Sequence, residues 1–279
     1  MPSWRTPAPP MAADEVRIYE VKRTDLTDAV VIDGFPSVGL VSSIVANYLI
    51  DALKMEQIGI VDSPAFPTVS LVRDGEPQHP VRIYAGQPPD RRTGSPAQKV
   101  VAFISEFQPP ANVVNNLAHA VLDWAQEQRC SLLVSPEGLV IERSEDEPHS
   151  AIPPPTVRVY GVASSRRARD LYIEPNVASF QEGVVTGVAG VLLNEGRRRG
   201  FDVLTFLAEA HPDYPDARAA AKVIETIDHV LLGTIIDPGP LYTEAERIEQ
   251  QLLTIQRSAA DRAASKERTG PAPAMSMYG

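Results

Sequence analysis

Short apolar runs alternate with longer amphipathic stretches from Val16 to Leu231, and this alternation constrains the fold more than any other feature. Runs rich in Val and Ile that last only four to six residues suit strands buried on both faces. They read as strands at Val16–Val21, Ala29–Ile32, Ile58–Val61, Val69–Val72, Val81–Tyr84, Val100–Ile104, Leu132–Ser135, Val157–Val162 and Val203–Leu207. Helical spacing marks Leu40–Leu53, the stretch from Asn112 through Leu117, Val121 and Trp124 to Gln128, then Val184–Arg199 and Asp216–Leu231. Asn112 and Asp216 carry side-chain oxygens that can accept from the first free amides, so both are expected as N-caps. The alternation predicts an α/β fold of three layers around a mostly parallel sheet, made mixed by the hairpin-like region from Val69 to Tyr84. The polar segments Pro88–Gln98 and Glu142–Pro155 read as insertions into one domain. The expected organisation is a disordered 1–14, an α/β domain over 15–240, a helical arm over 241–268 and a flexible tail over 269–279.

A net charge of -10 argues against a nucleic-acid partner, because no basic excess exists to displace counterions. No apolar run approaches the ~18 residues of a membrane span. The first ten residues are proline-rich and lack the apolar segment of a signal peptide, and Met11 is as acceptable a start as Met1. The single cysteine, Cys130, suits a reducing cytoplasm and reads as a buried structural thiol. No metal or cofactor is expected. His79, His119, His149, His211 and His229 have no metal-ligand spacing, and neither a dinucleotide fingerprint, a Walker pattern nor a nucleophile elbow is present. Gly34–Gly39 reads as a tight turn with close helix–sheet packing, and Gly187 and Gly190 as close-packing positions in a helix. His211 reads as a loop residue. One enzymatic alternative stays open. Glu106, Glu137 and Glu209 follow strands, and carboxylates gathered beyond the strand ends could serve as acid and base.

The C-terminal arm differs in kind. Leu241, Ala245, Ile248, Leu252, Ile255 and Ala259 recur at spacings of four and three, with charge around them. This seam fits a helix packed on its parent domain or a short self-associating coil equally well. From Thr269 to Ser276 the chain turns Gly-, Pro-, Ala- and Ser-rich and is expected to be extended, with a reach of about 25 Å at ~3.3 Å per residue. It ends Met277-Tyr278-Gly279. A mobile tether that ends in an apolar residue, a tyrosine and a carboxylate has the parts of a docking peptide. The order hydrophobic-Tyr-any residue resembles the tails by which proteasome activators enter pockets of the core-particle α-ring.

The body carries a second resemblance. Gly34-Phe35-Pro36-Ser37-Val38-Gly39-Leu40-Val41 with Tyr48-Leu49-Ile50, Phe66-Pro67, Pro80–Tyr84 and Ser105-Glu106 resemble the proteasome assembly chaperone family. So do Glu182-Gly183, Thr186–Gly190, Leu207-Ala208-Glu209-Ala210-His211 and Tyr214-Pro215-Asp216-Ala217 through Ala220. The resemblance runs in consistent order from Val16 to about Leu241. Ser37-Val38 departs from the Gly-Ile frequent in the family. The resemblance implies a nucleoside-phosphorylase-like fold, a homo-oligomer without catalytic activity, and a C-terminal tail, here Met277, Tyr278 and Gly279, that binds the α-ring. It also implies that Gly34, Phe35, Pro36, Gly39, Glu106, Gly187, Gly190, Glu209, Pro215 and Asp216 serve the family motif as structural or crevice residues. Assembly and ATP-independent activation of the core particle both remain open, as does an oligomeric scaffold with an inert tail.

Overall fold

A computed structural model describes residues 11–88, 98–140, 156–173, 177–233, 236–251 and 254. The apolar runs become the inner strands of a nine-stranded sheet: β2 (Val30–Gly34), β7 (Val100–Ser105), β8 (Leu132–Leu139) and β11 (Val203–Glu209). These four are parallel and adjacent in the order β7-β2-β8-β11. On one side the sheet continues antiparallel through β6 (Val81–Gly86), β3 (Glu56–Asp62) and β1 (Arg17–Glu20). On the other side lie β9 (Val159–Ala163), antiparallel to β11, and the short β10 (Ala178–Ser179), parallel to β9. The hairpin of β4 (Leu71–Arg73) and β5 (Glu76–Gln78) forms its own two-stranded ribbon. The mixed α/β sheet is therefore present, but it is not mostly parallel as expected: four of its eight described pairings are antiparallel, and the hairpin over 71–78 stands apart from it, so the mixing comes from β1, β3, β6 and β9.

Alternate side chains along each parallel strand face opposite helical layers. Val30, Ile32, Val134, Leu204 and Phe206 share a core with α1 (Val41–Ala52), α3 (Arg166–Tyr172) and α5 (Ala217–Ile227). Val31, Phe103, Leu133 and Val203 face α2 (Val114–Glu127) and α4 (Gly187–Arg199). Both layers are closed by fully buried side chains, among them Leu49 and Ile224 on one face and Leu117 and Leu192 on the other. Three layers result. A run such as Val30–Ile32 is apolar at every position because it has no wet face.

Several boundaries differ from expectation for local reasons. Asn112 does not cap α2. The Val113 amide closes a turn onto the Pro110 carbonyl at 2.9 Å, and the helix starts from Val113 with no side-chain cap. Asp216 does cap α5, accepting from the Ala219 amide at 2.9 Å. Past Ile227 that helix widens into a π turn, Asp228–Leu232, which ends on Gly233 in the left-handed region at φ 59. Helix α4 begins at Gly187, so Val184 and Val185 belong to the loop before it, and Val184 is 80% exposed. Strand β8 runs on to Leu139, beyond Ser135.

The arm forms a helix over 239–251, here α6, laid along α5. Ala245 is buried, Leu241 packs against the core, the Tyr242 hydroxyl donates to Glu225 at 2.8 Å, and Arg218 pairs with Glu249 at 2.8 Å. Over these turns the seam is packed on its own domain. Its continuation through Leu252, Ile255 and Ala259, the excursion Glu142–Pro155 as far as residue 155, and the tail with Met277, Tyr278 and Gly279 lie outside the described residues. No described helix is long and apolar enough to cross a membrane.

Candidate functional site

The four parallel strands deliver their carboxyl ends to one edge, and most motif residues converge there. Gly34 ends β2 under α1. A Cβ at this position would lie 2.4 Å from Ala46 Cβ and 2.5 Å from the Phe103 carbonyl oxygen, so only glycine allows helix and strand this close. The turn into α1 takes Gly39 and Leu40 through consecutive left-handed conformations, φ 60 and φ 53. Its closest neighbour is the loop before α5. The Asp216 amide donates to the Gly39 carbonyl at 2.8 Å, and a Gly39 Cβ would meet the His211 carbonyl oxygen at 2.9 Å. Asp216, 2% exposed, also accepts from the His211 amide at 3.0 Å, while exposed Pro215 fixes the turn before it. The Ser42 hydroxyl donates to the Pro136 carbonyl at 2.5 Å and tethers the start of α1 to β8. His211 is a loop residue, stacked on Tyr214 with ring centroids 4.3 Å apart.

Beside this turn a cavity of about 220 Å³ opens between the Phe35–Val38 loop, the end of β8 and the start of α4. Glu137 lines it. Beneath lies Asp33, a residue the sequence reading passed over. It is 2% exposed and accepts from the Phe35 amide at 3.1 Å and the Ser135 hydroxyl at 3.0 Å. Burial pushes the Asp33 carboxyl up to about 6 against the pull of those two hydrogen bonds. Burial, and then the Asp33 charge, push Glu137 well above the ordinary carboxylate range.

The other strand-end carboxylates are not gathered here. Glu106 pairs with Arg82 at 2.5 Å and with Arg73 of the β4–β5 hairpin at 3.3 Å. Arg82 is fully buried and also donates to the His79 carbonyl at 2.9 Å and the Tyr84 hydroxyl at 3.2 Å. Glu106 thus neutralises a cation inside the sheet. Glu209 accepts from the Tyr160 hydroxyl at 3.0 Å. The three carboxylates expected in one crevice divide into one in the cavity and two with partners elsewhere. Gly190 is a close-packing position as expected, since a Cβ there would lie 2.4 Å from the Val185 carbonyl oxygen. Gly187 is not. Nothing stands within 4 Å of its Cβ position, and its need is conformational, φ +67 at the helix start. Cys130 is buried, and burial pushes its thiol up to about 12, which suits a packing role.

Helix α6 runs from beside Glu225, late in α5, to beside Arg218, at its start. It therefore carries the chain back toward the carboxyl edge of the sheet.

A model of the PAC2 family matches residues 31–256. In sequence the chain is 26% identical over 239 residues to a Methanocaldococcus jannaschii protein, covering 86% of this chain and 90% of that one. In structure it resembles Pyrococcus furiosus PbaA, an archaeal homolog of proteasome-assembly chaperone, at 30% identity and a TM-score of 0.72, covering 91% of this chain and 97% of PbaA. It shares its fold with P. furiosus PbaB, an archaeal proteasome activator, at 23% identity and a TM-score of 0.72, covering 87% and 99%. The resemblance carried by Gly34–Val41 and the later motifs is borne out. With the family match spanning β2 to α6, the chain belongs to the PAC2 family.

Proposed function

We propose that this protein binds the proteasome core particle, docking its C-terminal residues Met277, Tyr278 and Gly279 on the α-ring as an assembly-chaperone homologue or an ATP-independent activator. The observation that carries the reading is the 30% identity to PbaA over nearly the whole chain, joined to a hydrophobic-Tyr-X terminus. The course of α6 supports it, because the chain beyond leaves from one defined edge of the sheet.

A three-residue anchor on a tether binds weakly alone, since docking costs the tether its freedom. A homo-oligomer presenting several copies raises avidity by ~10² to 10⁴. The domain over 15–240 and the arm over 241–268 then set where each tether over 269–279 begins. The reading assigns no catalytic step to the chain. Of the strand-end carboxylates, Glu106 is committed to Arg82 and Glu209 to Tyr160.

The test is co-sedimentation of full-length protein, a form lacking residues 277–279 and Tyr278→Ala with archaeal core particle. Both altered forms should lose at least tenfold in binding while keeping the oligomer and melting temperature of the parent. Parent-like binding by Tyr278→Ala would remove the tail mechanism.

A further inference from the structure

At the opposite edge of the sheet β9 ends, β11 begins, and two arginine-rich segments meet. Residues 166–170 and 195–202 hold six arginines against three acids, in a chain whose net charge is -10. Half of these arginines build a frame. Arg167 pairs with Asp202 at 3.1 Å, and Arg198 and Arg199 pair with Glu195 at 2.5 and 3.0 Å. Two serines complete it. The Ser164 hydroxyl donates to the Phe201 carbonyl at 2.9 Å and accepts from the Val203 amide at 2.8 Å, tying the end of β9 to the turn between α4 and β11. The Ser165 hydroxyl accepts from the Ala168 amide at 2.9 Å and donates to Asp202 at 2.5 Å, fixing the start of α3 to the same turn.

The other three arginines face a cavity. Arg166 and Arg169 of α3 and Arg197 of α4 line a space of about 710 Å³, with Asp170 as the one acid and Ile173 as the one apolar residue of the lining. None of the three guanidinium groups has a hydrogen-bond or ion-pair partner among the described residues, while the neighbouring Glu195 and Asp202 are taken by the frame. Arg197 suits the last turn of α4, where the helix dipole favours a cation, but that does not bring Arg166 and Arg169 to the same cavity.

We propose that this cavity binds a ligand bearing linked phosphate groups, held by the Arg166, Arg169 and Arg197 guanidinium forks. Each fork presents parallel N–H donors that match phosphate oxygens, and linked phosphates place several negative charges within a short span. Asp170 offsets one of the three cations, so the excess in the lining stays positive. No aromatic ring lines the cavity to stack a base, so recognition rests on the phosphates. They can come from a bare oligophosphate or from the tail of a nucleotide, and the chemistry is shared. Helix α6 carries the chain toward the other edge, so occupancy here does not depend on tail docking.

The test is calorimetric titration of the full chain with tripolyphosphate, ATP and octaglutamate, free of divalent cations, at low and high salt. At least one phosphate ligand should bind about tenfold or more tighter than octaglutamate, and should weaken at high salt because the arginines are exposed. Binding of tripolyphosphate as tight as that of ATP or tighter identifies a bare phosphate chain, and tighter binding of ATP identifies a nucleotide. Arg166→Gln, Arg169→Gln and Arg197→Gln should each weaken binding about fivefold or more, with the melting temperature of the parent, since all three side chains lie outside the core. Arg198→Gln, whose guanidinium is engaged by Glu195, should stay within about twofold of the parent. No binding by either phosphate ligand, equal binding of octaglutamate, or a loss in Arg198→Gln as large as that in Arg166→Gln would overturn the proposal.

Discussion

Two buried charge sites sit on the same sheet and are built in opposite ways. At Arg82 the cation is fully buried and each guanidinium nitrogen meets a partner: the Glu106 carboxylate, the His79 carbonyl and the Tyr84 hydroxyl. At Asp33 and Glu137 two acids share one end of neighbouring strands, with no cation among the cavity's lining residues. The first site needs nothing from outside the fold. The second pushes both carboxyls up in pKa, a state that burial makes costly to ionise. Where a fold buries charge for architecture it pairs it, and an unpaired acid facing a cavity is a candidate for use.

The largest expected effect tests the paired site. Glu106→Ala leaves a fully buried guanidinium without its anion, which should cost up to ~3–5 kcal/mol, moderated because Glu106 is partly exposed. Urea unfolding measures it. Arg82→Met in the same background should restore much of the loss, and a Glu106→Ala protein as stable as the parent would break the comparison. Next comes Asp216→Ala, which removes an N-cap and an acceptor for the His211 amide and should cost ~0.5–2 kcal/mol by the same measurement.

Smaller again is the pH response of the unpaired site. Asp33 and Glu137 hold protons in the folded chain to higher pH than in the unfolded chain, so their contribution is complete below the ordinary carboxylate pKa. It is lost as pH rises through about 6 for Asp33, and further above for Glu137. Melting temperature should therefore fall from pH 5 to pH 8, and Glu137→Gln should flatten the upper part of that fall. An unchanged profile would show that Glu137 is not held protonated. The smallest effect belongs to Arg218→Ala. Its pair with Glu249 holds α6 on α5 near the surface, and its loss should cost ~0–1 kcal/mol.

Much of the fold was legible because strands buried on both faces are apolar at successive positions. Val30–Ile32, Val100–Ile104 and Leu132–Val134 announce themselves. Helix α3 did not, because Arg166–Tyr172 buries only Ala168 and Tyr172 and shows no apolar stripe. Antiparallel pairing of β9 was equally hidden, since the direction of a strand is set by its neighbours and its composition is silent on it. At the carboxyl edge, Gly34 and Asp216 were readable from their own chemistry. Asp33 was missed because it follows an apolar run and looks like the start of a loop. Its signal was its place, at the end of an apolar run but still inside β2, as Glu137 lies beyond the run Leu132–Val134 and still inside β8. That Glu106 is tied to Arg82, and Glu209 to Tyr160, depends on sheet register, which no local pattern carries.

The most direct measurement of the proteasome reading is electron cryomicroscopy of the full chain mixed with an archaeal core particle. The account predicts density for Met277-Tyr278-Gly279 in the pockets between α-subunits, with the body above the ring, and none when those residues are deleted. Rings decorated equally by the deleted form, or left bare by the intact chain, would contradict it.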